Sequence, residues 1–292
     1  MLSRTSARRF AEVVVMKAIL VPVEPHSFIR SVLDAALLIA GRFGSHVEGL
    51  ALGPDIPEVI AFDVPVGWTI LSEKEQREHL SRSQHLFEEF MLSCGVPRKS
   101  EAADEVTCDF VGQQLFADSY IGSFGRVFDL IVLGRPGAQD EPPRLATLEA
   151  ALFEGGRPVL MVPPASPASI GETVVIAWNG STETARTVAL AMPILKKAGR
   201  VIVLALDSWG GDGPSGAELA FRLERNGVRA EAVVRRLNTR SPGEAILEEA
   251  ASFHADLLIK GAYTQSRLRQ MIFGGATSHI ISHAGIPVLM AH

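Results

Sequence analysis

The residues best suited to chemistry lie near the end of this 292-residue chain, in Asp256-Leu-Leu-Ile-Lys-Gly261-Ala-Tyr-Thr264 and Gly274-Gly275-Ala276-Thr277. An apolar run stops at Gly261, a polar and basic stretch follows, and the glycine pair opens a helical pattern. Backbone N–H groups at a helix start have no intrahelical acceptor and carry the positive end of the helix dipole, so such a start favours phosphate. Glycine there lets a phosphate approach closely, and Gly261 would let the strand beneath turn out sharply. A last apolar run, Gly285-Ile-Pro287-Val-Leu-Met-Ala-His292, closes the chain.

The elements that must position these residues occur twice. Phe128-Asp129-Leu-Ile-Val-Leu-Gly134 repeats the stretch from Asp256 to Gly261, and Arg157-Pro-Val-Leu-Met161 repeats Ile286-Pro-Val-Leu-Met290. Lys17-Ala-Ile-Leu-Val-Pro-Val23 is echoed by Glu172-Thr-Val-Val-Ile-Ala-Trp178, with Glu24 and Asn179 at the two ends. Nearly continuous apolar runs separated by helical patterns predict strands covered on both faces, in α/β order with parallel sheets. The expected helices run from a Ser27 N-cap to Phe43, over Glu73–Leu92, over Val111–Gly125, over Glu183–Ala198, over Ala217–Asn226 and from a Ser241-Pro-Gly-Glu244 capping box to Phe253. The expected strands include His46–Ala51, one between Glu101 and Phe110, Arg200–Leu206 and Glu231–Leu237. Pro163-Pro164-Ala-Ser-Pro167 reads as the linker between the copies.

This arrangement resembles the universal stress protein family, in a form with two domains in tandem. In that family a Gly-x2-Gly element, about nine residues and then Gly-Ser or Gly-Thr hold ATP phosphates in the nucleotide-binding members. Gly261 and Gly274 match the first and third glycines and Thr277 a hydroxyl residue of the phosphate loop; Thr264 stands where the second glycine belongs, and Gly275 where the Ser or Thr belongs. The first copy keeps Gly134 and Gly137, but Thr147-Leu-Glu149 replaces the phosphate loop, and Glu149 would repel phosphate. The resemblance implies two doubly wound, Rossmann-like parallel-sheet domains. Residues 16–164 form the first, degenerate and with an insertion at 54–92, and residues 168–292 form the second; residues 1–15 precede them as an extension, with Met16 as the expected natural start.

It further implies a non-catalytic stress-response protein binding ATP or ADP, with magnesium, in the second domain. The contacts would come from Asn179, Gly261, Thr264, Gly274, Gly275, Ala276 and Thr277. An Asp usually contacts adenine and ribose where Asn179 stands, although Asn179-Gly180 also reads simply as a turn with a helix cap. The alternatives are a nucleotide-independent signalling or interaction protein with both phosphate sites degenerate, and a slow ATPase. Family members pair domains through their last strands, which two copies could do within one chain, leaving the first copy's insertion for a homodimer contact.

The insertion alternates strictly from Ile60 to Ile70, with Pro65 inside it, so it reads as an extended edge piece. It would either pack onto its own domain or form a flap or a subunit contact. A net charge of −5 with a pI near 5.9 leaves no footprint for nucleic acid or an anionic membrane. No apolar run is long enough to span a bilayer, and Cys94 and Cys108 lack metal or disulfide spacing, as expected of reduced thiols in the cytoplasm. His279 and His283 share a helix face but have no third ligand, so no metal role is assigned. Tyr263, Arg267 and Arg269 could meet an anion or simply be solvated. With no Walker loop, no nucleophile elbow and no cysteine beside a base, no catalytic residue is assigned.

Overall fold

The computed structural model describes residues 16–53, 72–98, 104–137, 142–262 and 275–292. The segment around Ile60–Ile70, the first fifteen residues, and Tyr263, Thr264, Arg267, Arg269 and Gly274 lie outside them.

The first half runs β1 (Ala18–Val23), α1 (Ile29–Phe43), β2 (His46–Leu52), α2 (Glu73–Ser93), β3 (Thr107–Phe116), α3 (Asp118–Phe124), β4 (Leu130–Gly134), α4 (Leu145–Glu154) and β5 (Val159–Val162). The second runs β6 (Thr173–Ala177), α5 (Thr182–Leu190), α6 (Met192–Lys197), β7 (Arg200–Leu206), α7 (Gly216–Arg225), β8 (Ala230–Arg235), α8 (Pro242–Ser252), β9 (Leu257–Gly261), α9 (Gly275–His283) and β10 (Val288–Ala291).

These strands make one sheet of ten, ordered β3-β2-β1-β4-β5-β10-β9-β6-β7-β8. Read outward from the middle, each half has the same order. All pairings are parallel except the central one, where β5 and β10 run antiparallel with Leu160 opposite Leu289. The last strands of the two halves therefore join them within one chain. β4 and β9 are buried along their whole lengths, the charged Lys260 of β9 included, because helices cover both faces. One core lies under α1, α2, α5, α6 and α7 and the other under α3, α4, α8 and α9, and each continues from the first half into the second.

A repeated aspartate ties the strand starts together. Asp129, just before β4, accepts backbone hydrogen bonds from Lys17 (2.7 Å) and Ala18 (3.0 Å) at the start of β1. Asp256, just before β9, does the same for Gly171, Glu172 and Thr173, each at 3.0 Å, at the start of β6. A charged acceptor satisfies amides that the strand ladder leaves over.

Three expectations are corrected. Ser27 does not cap α1: Phe28 holds that position without a side-chain cap, and its N–H donates to His26 Nδ1 at 3.2 Å. The helix expected over Val111–Gly125 begins only at Asp118, because the chain before it pairs with β2 as far as Leu52 opposite Phe116. The strand absorbs a register shift there, with Gly112 at φ +86°, and tertiary pairing overrides the apolar spacing. The helix expected from Glu183 to Ala198 is broken at Ala191, where Pro193 in the first turn of α6 cannot donate to the carbonyl four residues back. The Ser241–Glu244 capping box forms as expected.

Candidate functional site

In each half the strand order reverses between the first strand and the fourth, β1 beside β4 and β6 beside β9. Ligands of doubly wound sheets bind in the crevice at the carboxyl ends of such a pair. The two crevices of this chain are built differently.

In the second half Gly261 is the junction. A Cβ added there would lie 2.4 Å from the Thr184 backbone nitrogen and 2.7 Å from its hydroxyl, so only glycine lets the start of α5 pack onto the end of β9. Thr184 Oγ1 donates to Asn179 Oδ1 at 2.7 Å, and the Ser181 N–H donates to the same oxygen at 3.2 Å. Asn179 thus holds its own turn, while Ser181 caps α5 by accepting from the Thr184 N–H.

On the opposite face of β9, Lys260 runs toward the first turn of α9. It is 5% exposed, and its Nζ donates to Thr277 Oγ1 at 2.7 Å and to the Gly261 carbonyl at 2.8 Å. Burial pulls its pKa down to about 8. Among the described residues no carboxylate side chain pairs with it. Gly275 begins α9, with no described atom within 4 Å of where its Cβ would stand, and Ala276 follows it in the same turn. Asn179, Gly261 and Thr277 are thereby brought around one strand end, linked through Thr184 and Lys260. Thr264 and Gly274 lie outside the described residues.

One contributor was missed by sequence reasoning. Lys260 was passed over because it sits in an apolar strand run; the signal was a charge in a segment whose counterpart, Leu133, is apolar. The glycine-rich loop between β7 and α7 lies on the Asn179-Gly180 turn. A Cβ on Gly213 would meet the Gly180 carbonyl oxygen at 2.1 Å, the Gly211 N–H donates to the Asn179 carbonyl at 3.2 Å, and Trp178 Nε1 donates to the Pro214 carbonyl at 2.7 Å. His279 and His283 stack on one another with ring centroids 4.3 Å apart.

The first-half crevice is filled from within. Arg144, at the N-cap of α4, places Nη1 2.7 Å from Glu24 Oε1 as an ion pair outside hydrogen-bonding geometry. Its Nε and Nη2 donate to the two oxygens of Asp118 at 3.2 and 2.7 Å, and Nη2 also donates to the Gly53 carbonyl at 2.9 Å. Thr147 Oγ1 donates to Asp118 Oδ1 at 2.7 Å. Burial raises the Glu24 pKa to about 7, with Arg144 opposing and Asp118 adding to the rise. A Cβ on Gly134 would meet the Pro143 ring at 2.4 Å.

Comparison with known proteins places this geometry. Residues 172–292 match the model of the universal stress protein family. A stretch of 49 residues is 37% identical to the stress response protein NhaX of Bacillus subtilis; it makes up 17% of this chain and spans only 30% of that relative's length. Among solved structures, a universal stress protein from Archaeoglobus fulgidus superimposes with a TM-score of 0.67 at 16% identity, over 94% of this chain and 95% of that one. At that identity the likeness is one of fold.

Proposed function

We propose that this chain is a member of the universal stress protein family, whose model matches residues 172–292, and that within it the protein is a non-catalytic, nucleotide-responsive protein that binds ATP or ADP in its second half only. The observation carrying this reading is the contrast at the last helix of each half. The first turn of α9 begins at Gly275, with no described atom within 4 Å of its missing Cβ and a buried ammonium, Lys260, behind it. The matching turn of α4 begins with Arg144 locked between Glu24 and Asp118. Free helix N–H groups with a nearby cation favour phosphate, whereas a guanidinium already bound to two carboxylates has no charge left to offer one.

Titration calorimetry of the full chain with ATP and with ADP tests the proposal. One site per chain is expected, lost in Gly275→Asp. An aspartate in the first turn suits the helix dipole, so that variant keeps its fold while repelling phosphate. No heat at millimolar nucleotide would sink the proposal.

A second reading, an interaction protein indifferent to nucleotide, is favoured by the engagement of Asn179. Its Oδ1 is already used twice, and the glycine-rich loop lies on its turn, so no free acceptor for a ribose is on view there. A cytoplasmic location and a homodimer belong to both readings. Absence of phosphate release above the Gly275→Asp background would separate either from an ATPase.

A further inference from the structure

The charge on Lys260 has no protein counter-ion among the described side chains, and the sequence explains why. After Asp256 the chain contains no Asp or Glu, while it contains Lys260, Arg267, Arg269 and three histidines. The whole stretch that builds β9, α9 and β10 therefore carries only cationic and neutral side chains.

Two neutral oxygens, Thr277 Oγ1 and the Gly261 carbonyl, satisfy hydrogen bonds of the ammonium without neutralising it. The first half deals with a buried cation in the opposite way: Arg144 is enclosed by Glu24 and Asp118, and Leu133 takes the place of Lys260. A buried charge left unpaired is costly. A bound anion would remove that cost, so the energy spent on burying Lys260 returns as affinity for a ligand carrying negative charge.

A divalent cation has little to hold it on this side of the crevice. Magnesium is ordinarily bound through one or two carboxylates together with substrate phosphates, and residues 257–292 offer none. Among the acids of the neighbouring loops, Asp207 spends Oδ1 on the Leu237 N–H at 2.6 Å. No described group of three or more His, Cys, Asp or Glu is placed to hold a metal.

We infer that the second half takes a polyphosphate ligand free of divalent metal, with Lys260 supplying from behind the first turn of α9 the positive charge that magnesium would otherwise bring. Lys260 is a positioning and charge-balancing residue, acting through Thr277 and the helix start. This inference rests on the nucleotide reading above and narrows it to the metal-free form of the ligand.

The test is calorimetry of the full chain with ATP in EDTA and, separately, with ATP in excess magnesium, on the wild type and on Lys260→Met. The wild type is expected to bind at least as tightly in EDTA as in magnesium. Lys260→Met is expected to lose about tenfold or more of its affinity in EDTA and much less in magnesium, because the metal then carries the missing charge. Denaturation of Lys260→Met without ligand controls for folding; a merely structural role would weaken both conditions alike. Binding by the wild type only in magnesium, or equal affinity of both proteins in EDTA, overturns this inference and leaves the nucleotide reading standing. No binding in either condition overturns both.

Discussion

The two crevices are made by the same strands, turns and helices, and they differ in where their charges come from. Thr147 and Thr277 both lie buried in the third position of the last helix of their halves, but one hydroxyl donates to a carboxylate and the other accepts from an ammonium. Around Thr147 the cation and its anions are all supplied by the chain, from the end of β1, the start of α3 and the N-cap of α4. Around Thr277 the described residues supply only the cation. A fold can thus keep its packing while changing whether its charge is balanced from inside or from outside. The closed half also holds its crevice together, while the open half buries a cation whose charge no described carboxylate balances.

The sharpest way to break this comparison is to remove the first half's cation. Arg144→Ala would leave the buried Glu24 and the half-buried Asp118 without their partner and is expected to cost about 3–5 kcal/mol, the usual penalty for breaking a buried ion pair from one side. Urea denaturation should show the midpoint falling with little change in slope. Combining it with Glu24→Gln and Asp118→Asn should return much of the loss, since the orphaned charges are then gone. If the single change costs no more than an exposed substitution, the first-half cluster is not the closed counterpart argued for above.

Much of this architecture was legible in the sequence because it is written in repeated apolar runs. Asp129 and Asp256, Gly134 and Gly261, and the closing Pro-Val-Leu-Met runs mark equivalent strand starts and ends, and the parallel sheet follows from their order. The errors fall where a local pattern competes with a tertiary partner: Val111 to Phe116 has helical spacing but pairs with β2. At the site, Gly261, Gly275 and Thr277 could be picked out by type and spacing. Lys260 left a weaker signal, a charge where the first copy has Leu133, and its meaning depends on which acids are absent around it in space. The Arg144, Glu24 and Asp118 cluster joins three segments distant in sequence, and no spacing rule announces it.

A finer separation of the halves comes from pH, because their buried groups shift in opposite ways. Glu24 is raised from 4.5 to about 7 in the folded chain. Its folded form binds a proton more tightly than the unfolded form, so its contribution is fully present below 4.5 and is lost as pH rises to about 7. Lys260 is lowered from 10.5 to about 8. There the unfolded chain binds the proton more tightly, so stability is present above 10.5 and is lost as pH falls to about 8. Each swing is on the order of 3 kcal/mol. Denaturation midpoints followed across pH should lose the lower slope in Glu24→Gln and the upper slope in Lys260→Met, each leaving the other in place. Lys260→Met should also be the more stable protein at neutral pH without ligand. A variant that flattened both windows would show that the two crevices titrate together rather than independently.

The smallest change addresses the open helix start itself. In the first half Leu145 begins α4, and in the second Gly275 begins α9 with nothing described within 4 Å of its missing Cβ. No packing in the described chain asks for glycine there, so Gly275→Ala should stabilise the free protein by about 0.4–1 kcal/mol, through the lower entropy of the unfolded chain. At Gly261 the same substitution would drive a Cβ into the Thr184 backbone and should destabilise instead. If Gly275 is kept open for a phosphate to approach, Gly275→Ala should gain that stability and lose nucleotide affinity together. Thermal denaturation and calorimetry on one preparation read both quantities. A gain in stability with unchanged affinity would mean that the added methyl stands clear of the ligand, and it would move the phosphate away from the first residue of α9.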